Sequence, residues 1–158
     1  MTKTPCNVRE ITADAAELAA IHRLICGAFT YMDGLIDPPS SIKRFDLSVL
    51  RQHAAQRQLF AIGQPPLAAM IMRPVGEMLY LGKIAVAEEM RGQGLARQLI
   101  MFAAAMAQDC DLKALTLQSR VELTDNHRAF RALGFVETGR TSHPGFEKPT
   151  SITFTKPV

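Results

Sequence analysis

The segment from Met78 to Ala107, MLYLGKIAVAEEMRGQGLARQLIMFAAAMA, determines the predicted fold. Its first part, Met78 to Val86, is apolar except for Lys83 and does not alternate, which is typical of a strand buried on both faces. Its last part, Leu95 to Ala107, places apolar residues at helical spacing and predicts an amphipathic helix. The segment therefore predicts a strand, a short turn and a helix.

The turn between this strand and this helix has the composition of an anion-binding site. It runs Arg91-Gly92-Gln93-Gly94-Leu95-Ala96, and Arg97 follows in the first turn of the helix. The glycines leave backbone N–H groups open, the helix start supplies the positive end of its dipole, and arginine adds a fixed cation. A phosphate or diphosphate is the ligand that this arrangement favours.

Three phosphate-binding motifs compete for the turn. A P-loop needs glycine, four residues and then Gly-Lys-Ser/Thr, and the sequence has no such run. A dinucleotide-binding fingerprint needs a third small residue, where this chain has an arginine, and an acid after the next strand, where it has Gln118 and Ser119. The third motif, Arg/Gln-x-x-Gly-x-Gly/Ala, is met in full by Arg91, Gly94 and Ala96. A glycine-rich turn without a ligand is the remaining alternative.

This third motif follows a long strand that ends Ile84-Ala85-Val86, and it resembles the acetyl-CoA signature of the Gcn5-related N-acetyltransferase (GNAT) superfamily. The stretch from Asn126 to Phe135 is similar to a second family pattern, with Phe130 where the family often has tyrosine. The resemblance implies an acyltransferase that moves an acetyl group from acetyl-CoA, its cosubstrate, to a primary amine. Direct transfer in a ternary complex is expected, without a metal.

The resemblance also implies which residues bind the cofactor. The backbone of Ile84, Ala85 and Val86 is expected to pair with the pantetheine arm as if it were an added strand. The diphosphate is expected at the turn and the helix start, on Arg91, Gly92, Gln93, Gly94, Leu95, Ala96 and Arg97. Asn126 and Phe130, one helical turn apart, are expected to share a face toward the cofactor.

Catalysis on an amine also needs a base. An alkyl amine has a pKa of about 10 and is protonated at neutral pH, so it must lose a proton before it attacks. Glu122, just past a strand end, and Tyr80, on the central strand, are the predicted catalytic residues. The structural alternatives are a solvated or capping acid for Glu122 and a core aromatic for Tyr80.

Phe130 departs from the family pattern, because the family's tyrosine is commonly assigned to protonate the leaving thiolate and phenylalanine carries no such proton. Three explanations stay open: the thiolate leaves without help, another group such as Tyr80, Tyr31 or His143 substitutes, or the enzyme is weak. The alternative function is therefore a CoA-binding module with weak or no transferase activity. A nucleotide-binding regulator is a third interpretation.

Composition indicates one domain over residues 1–158, a length that suffices for one substantial core. The net charge of +3 comes from scattered residues, so neither nucleic-acid binding nor a membrane surface is indicated. Cys6, Cys26 and Cys110 are widely spaced, which predicts reduced thiols in a cytoplasmic protein and no zinc site. The chain shows neither the apolar run of a signal peptide nor a stretch of transmembrane length.

The remaining segments predict the order strand, two helices, three strands, helix, strand, helix, two strands. An Asp14–Glu17 capping pair is expected to open the first helix and Asp46 the second. The proline-containing segment Thr30–Phe45 between them is a plain connection or an acceptor-site loop. The fold class is α/β (α+β), with a mixed, mostly antiparallel sheet flanked by helices. The resemblance further implies that the sheet splays between the fourth and fifth strands. It also implies that the acceptor is a small-molecule or peptide amine, and it is compatible with a homodimer.

Overall fold

A computed structural model describes residues 7–158 of the chain. Its helices and strands follow the predicted order. They are β1 (Val8–Glu10), α1 (Leu18–Thr30), α2 (Leu47–Ala55), β2 (Leu59–Ile62), β3 (Ala68–Val75), β4 (Met78–Val86), α3 (Leu95–Asp109), β5 (Ala114–Arg120), α4 (Thr124–Ala132), β6 (Val136–Thr141) and β7 (Ser151–Pro157), with 3₁₀ turns at Ser41–Arg44 and Glu88–Met90. Cys6, one of the thiols considered above, lies outside the described residues.

The strands form one seven-stranded sheet in the order β1-β2-β3-β4-β5-β7-β6. All neighbouring pairs are antiparallel except β4 and β5, which run parallel. These two strands pair only from Met78–Tyr80 to Ala114–Thr116. Beyond that point β4 continues to Val86 and β5 to Arg120 without pairing to each other. The mixed sheet and its splay between the fourth and fifth strands are therefore confirmed.

A β-bulge in β4 was not predicted from the sequence. Ala69 lies opposite Ala85, but Ile71 lies opposite Gly82, so β4 uses one residue more than β3 over this stretch. Lys83 sits at the bulge in the left-handed region, with φ 51°. An extra residue exchanges the faces of all side chains that follow. Ala85 accordingly packs with α1 and α2, whereas the leucines earlier in β4 pack on the α3 side.

The sheet separates two apolar clusters. Under α3, the cluster combines helix residues with both splayed strands, and includes Leu99, Ala103, Leu79, Leu81, Leu115, Leu117 and Phe154. Under α1 and α2, it includes Leu18, Ile21, Ile25, Leu50, Ala54 and Ile71. None of the helices formed by residues 7–158 has the length and apolarity needed to cross a bilayer.

The two predicted helix caps have different outcomes. Asp46 caps α2 as expected, because its carboxylate accepts the backbone N–H of Val49 at 3.0 Å. The Asp14–Glu17 capping pair is wrong. Glu17 instead accepts hydrogen bonds from the guanidinium of Arg9, one of them at 2.8 Å, and this part-buried ion pair fastens the start of α1 to β1. A charge-assisted bidentate pair outcompetes a bond to a helix N–H.

Candidate active site

A cleft of about 1360 Å³ opens where β4 and β5 separate. Its walls come from β4, the start of α3, the end of β5, α4 and the α1–α2 segment. It brings together eleven of the twelve predicted cofactor residues: Ile84, Ala85, Val86, Arg91, Gly92, Gly94, Leu95, Ala96, Arg97, Asn126 and Phe130. Gln93 is not on the wall, and its N–H donates to the Met90 carbonyl at 3.3 Å.

The turn before α3 lines this cleft and leads into helix amides that have no partner within the helix. Gly92 and Gly94 have φ of 79° and 81°, a region that residues with a Cβ rarely adopt. The first hydrogen bond of the helix runs from the Gln98 N–H to the Gly94 carbonyl at 3.0 Å. The amides of residues 95–97 therefore have no acceptor within the helix, and they point out of its N-terminus. Together with the arginines they form an electropositive corner suited to a diphosphate.

Ser119 supplies a signal that the sequence interpretation missed. Its side chain lies on β5 beyond the last residue paired with β4, lines the cleft, and is only 7% exposed. Its Oγ has no hydrogen-bond partner within residues 7–158. A buried hydroxyl left without a partner costs about 1–3 kcal/mol. A polar ligand group placed in the splay would give this atom a partner, and a pantetheine-like arm carries such groups.

The two predicted cofactor-binding residues of α4, Asn126 and Phe130, have different surroundings. Phe130 packs against the rings of Phe135 and Phe154, with centroids 6.1 and 5.9 Å away. Asn126 donates its side-chain amide to the Tyr31 hydroxyl at 3.0 Å. Tyr31 follows α1 and lines the same cleft, and its own O–H is left to donate. A phenolic hydroxyl is therefore present beside α4, although Phe130 does not supply it.

The end of β5 holds the segment between α1 and α2 in place. Glu122 accepts the backbone N–H of Asp37 at 3.0 Å. Arg120 donates to the carbonyls of Pro38 at 2.8 Å and Pro39 at 3.2 Å, and burial lowers the pKa of its guanidinium. This segment thus forms one wall of the cleft.

Tyr80, the second predicted catalytic residue, also lines the cleft. The guanidinium of Arg73 lies over its ring, 5.1 Å from the centroid. Burial raises the pKa of the Tyr80 hydroxyl, and the positive charge of Arg73 opposes that change only in part. The hydroxyl therefore stays protonated near neutral pH and can donate a hydrogen bond, but it is a poor base.

Lys83 places a cation on the α1–α2 side of the cleft. Its ammonium lies 5.4 Å from the ring centroids of both Phe29 and Phe45, and 3.4 Å from the Ser41 hydroxyl. Burial lowers the pKa of this ammonium, and it forms no ion pair with an acidic side chain of residues 7–158. In the sequence, Lys83 appeared only as the one charged residue of an apolar strand. Its place in the cleft follows from the β-bulge at which it lies.

His143 lines the cleft from the loop between β6 and β7. Its backbone N–H donates to the Thr150 hydroxyl at 2.9 Å, and its ring Nδ1 contacts the same oxygen. The Thr150 hydroxyl in turn donates to the Thr141 carbonyl at 3.4 Å. Burial, with help from the charge of Arg120, lowers the pKa of His143, and the carboxylate of Glu122 opposes this change.

Comparison with known proteins identifies the group to which this chain belongs. The sequence profile described as "Acetyltransferase (GNAT) family" matches residues 19–135, most of the chain. The chain belongs to the GNAT family. It is therefore an N-acetyltransferase by family, as the resemblance implied. A search of curated protein sequences finds no matching relative.

Three solved structures share the fold of this GNAT protein. PaiA N-acetyltransferase from Thermoplasma acidophilum, in complex with coenzyme A, has a TM-score of 0.77 at 10% identity, covering 96% of this chain and 98% of its own. The NatC complex bound to Gag peptide and CoA gives 0.70 at 20% identity, with coverages of 96% and 97%. The ribosomal-protein-S18-alanine N-acetyltransferase from Escherichia coli gives 0.68 at 18% identity, with coverages of 95% and 92%.

Two cysteines of this GNAT protein, Cys26 and Cys110, fall within the described residues. Cys26 is half-buried on α1, with its Sγ 3.5 Å from His22 Nε2, and burial raises the pKa of its thiol. Cys110 is an exposed free thiol just past α3. Over residues 7–158, the His, Cys, Asp and Glu side chains form no group of three that could hold a metal ion.

Proposed function

We propose that this GNAT protein transfers the acetyl group of acetyl-CoA to a primary amine by direct attack within a ternary complex. The observation that carries the proposal is the splay of β4 and β5, which opens beside a turn whose helix amides have no partner within the helix. The cleft of about 1360 Å³ exceeds the roughly 300–1,000 Å³ of a pocket for a single ligand. It can hold both substrates at once.

In this proposal the predicted cofactor residues divide into three groups. The unpaired edge of Ile84–Val86 pairs with the pantetheine arm, and the buried Ser119 hydroxyl gains a partner there. The amides of residues 95–97 and the side chains of Arg91 and Arg97 bind the diphosphate. Asn126 and Phe130 border the arm from α4. Gln93 contributes its place in the turn, since its N–H is already bonded to a carbonyl.

The cleft supports transfer mainly by positioning. Holding an amine against a thioester in the correct geometry can supply up to about 7–11 kcal/mol of the barrier. Amides on the unpaired edge of β4 can donate to the oxyanion that develops on the thioester carbonyl. We place Glu122 as the carboxylate that attracts the acceptor ammonium, and Tyr80 as a hydrogen-bond donor at the reaction centre.

The acceptor we propose is a small-molecule amine or a peptide amine. The names of two structural neighbours mention a peptide or a protein: the NatC complex is bound to Gag peptide, and the other enzyme is the ribosomal-protein-S18-alanine N-acetyltransferase. The α1–α2 segment, which Arg120 and Glu122 anchor, forms the acceptor wall of the cleft. Cytoplasmic location, the absence of nucleic-acid and membrane partners, and a homodimer stay predictions.

A thiol-release assay with acetyl-CoA and a panel of small amines and peptides tests this function. We expect micromolar-range CoA binding by calorimetry and thiol release that depends on an added amine. Mass spectrometry of the protein incubated with acetyl-CoA alone should show no acetyl-enzyme, and a kinetically competent acetylated protein would contradict direct transfer. Tight CoA binding without turnover of any amine would favour the CoA-binding module that Phe130 suggests. Thermal protection by ATP or NAD and not by CoA would contradict the site itself.

A further inference from the structure

The hydrogen bonds of the Thr150 hydroxyl favour one ring nitrogen of His143 as the site of the proton. Thr150 is 5% exposed, and its hydroxyl has one proton, which is directed at the Thr141 carbonyl. The same oxygen receives the backbone N–H of His143. With its proton used in this way, the Thr150 hydroxyl accepts from the imidazole, and we assign the ring proton to Nδ1. The other nitrogen, Nε2, is then left with its lone pair free.

Burial, together with the positive charge of Arg120, favours the neutral form of the His143 imidazole. Two charged side chains face it, Arg120 at the end of β5 and Glu122 just beyond. Burial and the guanidinium of Arg120 lower its pKa, against the opposing effect of Glu122. A histidine whose pKa lies below its ordinary value of about 6.5 is unprotonated at neutral pH. His143 therefore has a proton-free nitrogen at the acceptor end of the cleft.

The other candidates for a base are less suited. The Tyr80 hydroxyl has a raised pKa and keeps its proton. We assign the Glu122 carboxylate to the acceptor wall, which it holds in place by accepting the Asp37 amide and where it attracts the ammonium. His143 has the orientation that a base needs, since a third group fixes it through the opposite ring nitrogen, as in other base–orienter pairs. From its sequence, His143 was named only as a substitute proton donor, because the contact that orients its ring comes from a residue seven positions away across a loop.

We infer that His143 Nε2 is the general base that deprotonates the acceptor ammonium, and that Thr150 is the positioning residue that fixes its tautomer. This inference rests on the proposed acetyl transfer. The ammonium gives one proton to Nε2, and the resulting imidazolium releases it to solvent. The neutral amine then forms the N–C bond with the thioester carbonyl. As the C–S bond breaks, the second amine proton is lost and the departing thiolate takes up a proton, so one proton is released per turnover.

The first experiment compares the wild type with His143→Gln. We expect kcat to fall about 10²–10⁴-fold at pH 7, while calorimetry shows unchanged CoA affinity and melting confirms the fold. The wild-type kcat/KM should decline in acid through a pKa below 6.5, and this inflection should be missing in the variant. A fluorinated acceptor amine, unprotonated at pH 7, should largely bypass the defect, because no proton needs to be removed first.

Thr150 provides a matched pair of variants. Thr150→Ser keeps the hydroxyl and should retain near-wild-type kcat and pH profile, whereas Thr150→Val keeps the shape and should lower kcat with little change in KM. Glu122→Gln separates the competing base: loss of the acid inflection in that variant, with the inflection intact in His143→Gln, overturns the inference. Full activity of His143→Gln overturns it as well, and leaves acetyl transfer standing. A wild type that turns over no amine overturns the proposed function and this inference together.

Discussion

Gly94 offers the sharpest test of the diphosphate site. It is the residue before the first turn of α3, with φ 81° and ψ 14°, and a Cβ built there meets no atom within 4 Å. The Cβ that alanine or aspartate adds therefore meets no clash, and the cost in stability that we assign to it is that of the left-handed backbone, about 1–2 kcal/mol. In a domain of this size, a cost of about 1–2 kcal/mol lowers the melting temperature by roughly 2–8 °C.

The two variants differ in charge, and that difference isolates the binding of the diphosphate. An aspartate carboxylate about 4 Å from a bound phosphate charge adds a repulsion of roughly 1 kcal/mol in water and 4 kcal/mol at an effective dielectric constant of 20. The affinity of Gly94→Asp for CoA should therefore be about five-fold to several hundred-fold lower than that of Gly94→Ala. The difference should shrink at high salt, because ions screen exposed charges.

Calorimetric titration of both variants with CoA and with acetyl-pantetheine, which lacks the diphosphate, measures the effect. We expect the two variants to bind acetyl-pantetheine equally and CoA unequally. Equal CoA affinities for Gly94→Ala and Gly94→Asp would refute the assignment of the diphosphate to the amides of residues 95–97. A deficit of the same size with acetyl-pantetheine would show that aspartate distorts the turn rather than repels a phosphate.

Three further predictions concern stability. The hydrogen bond from Arg9 lowers the pKa of Glu17 below 4.5 in the folded protein. The contribution of this ion pair to folding stability is therefore present above pH 4.5 and is lost as the pH falls through the lowered pKa. Glu17→Gln should lose about 1–3 kcal/mol of stability at pH 7, and its thermal melts should depend less on acid pH. Burial lowers the pKa of Lys83 in the folded protein below the 10.5 of the unfolded chain, so the unfolded chain binds more protons between these two pKa values. The stability of the wild type, measured by urea titration, should therefore rise with pH across that window, and Lys83→Met should lack the rise. Leu99 is fully buried in the α3 cluster, so Leu99→Ala should cost about 2–5 kcal/mol in the same titrations, and a loss below 1 kcal/mol would contradict this packing.

Local patterns in the chain predict a large part of this fold. The bounds of β4 agree with its apolar run, and α3 begins at Leu95, where helical spacing starts after two glycines. Both signals are short-range, since they depend on strand burial, turn conformation and helix periodicity within about 30 residues. The predicted N-cap at Asp46 was confirmed for the same reason. The capping pair at Glu17 failed because Arg9 on the neighbouring strand binds that carboxylate instead.

The sequence alone therefore determined the order of the elements and the anion-binding turn, since each depends on neighbours along the chain. Only the tertiary structure decided what faces the turn across the cleft. The bulge at Lys83 depends on register with β3, and β7 lies between β5 and β6 against chain order. The bond between Tyr31 and Asn126 spans 95 residues. Such contacts form because the folded sheet brings distant segments together, and no local pattern specifies them.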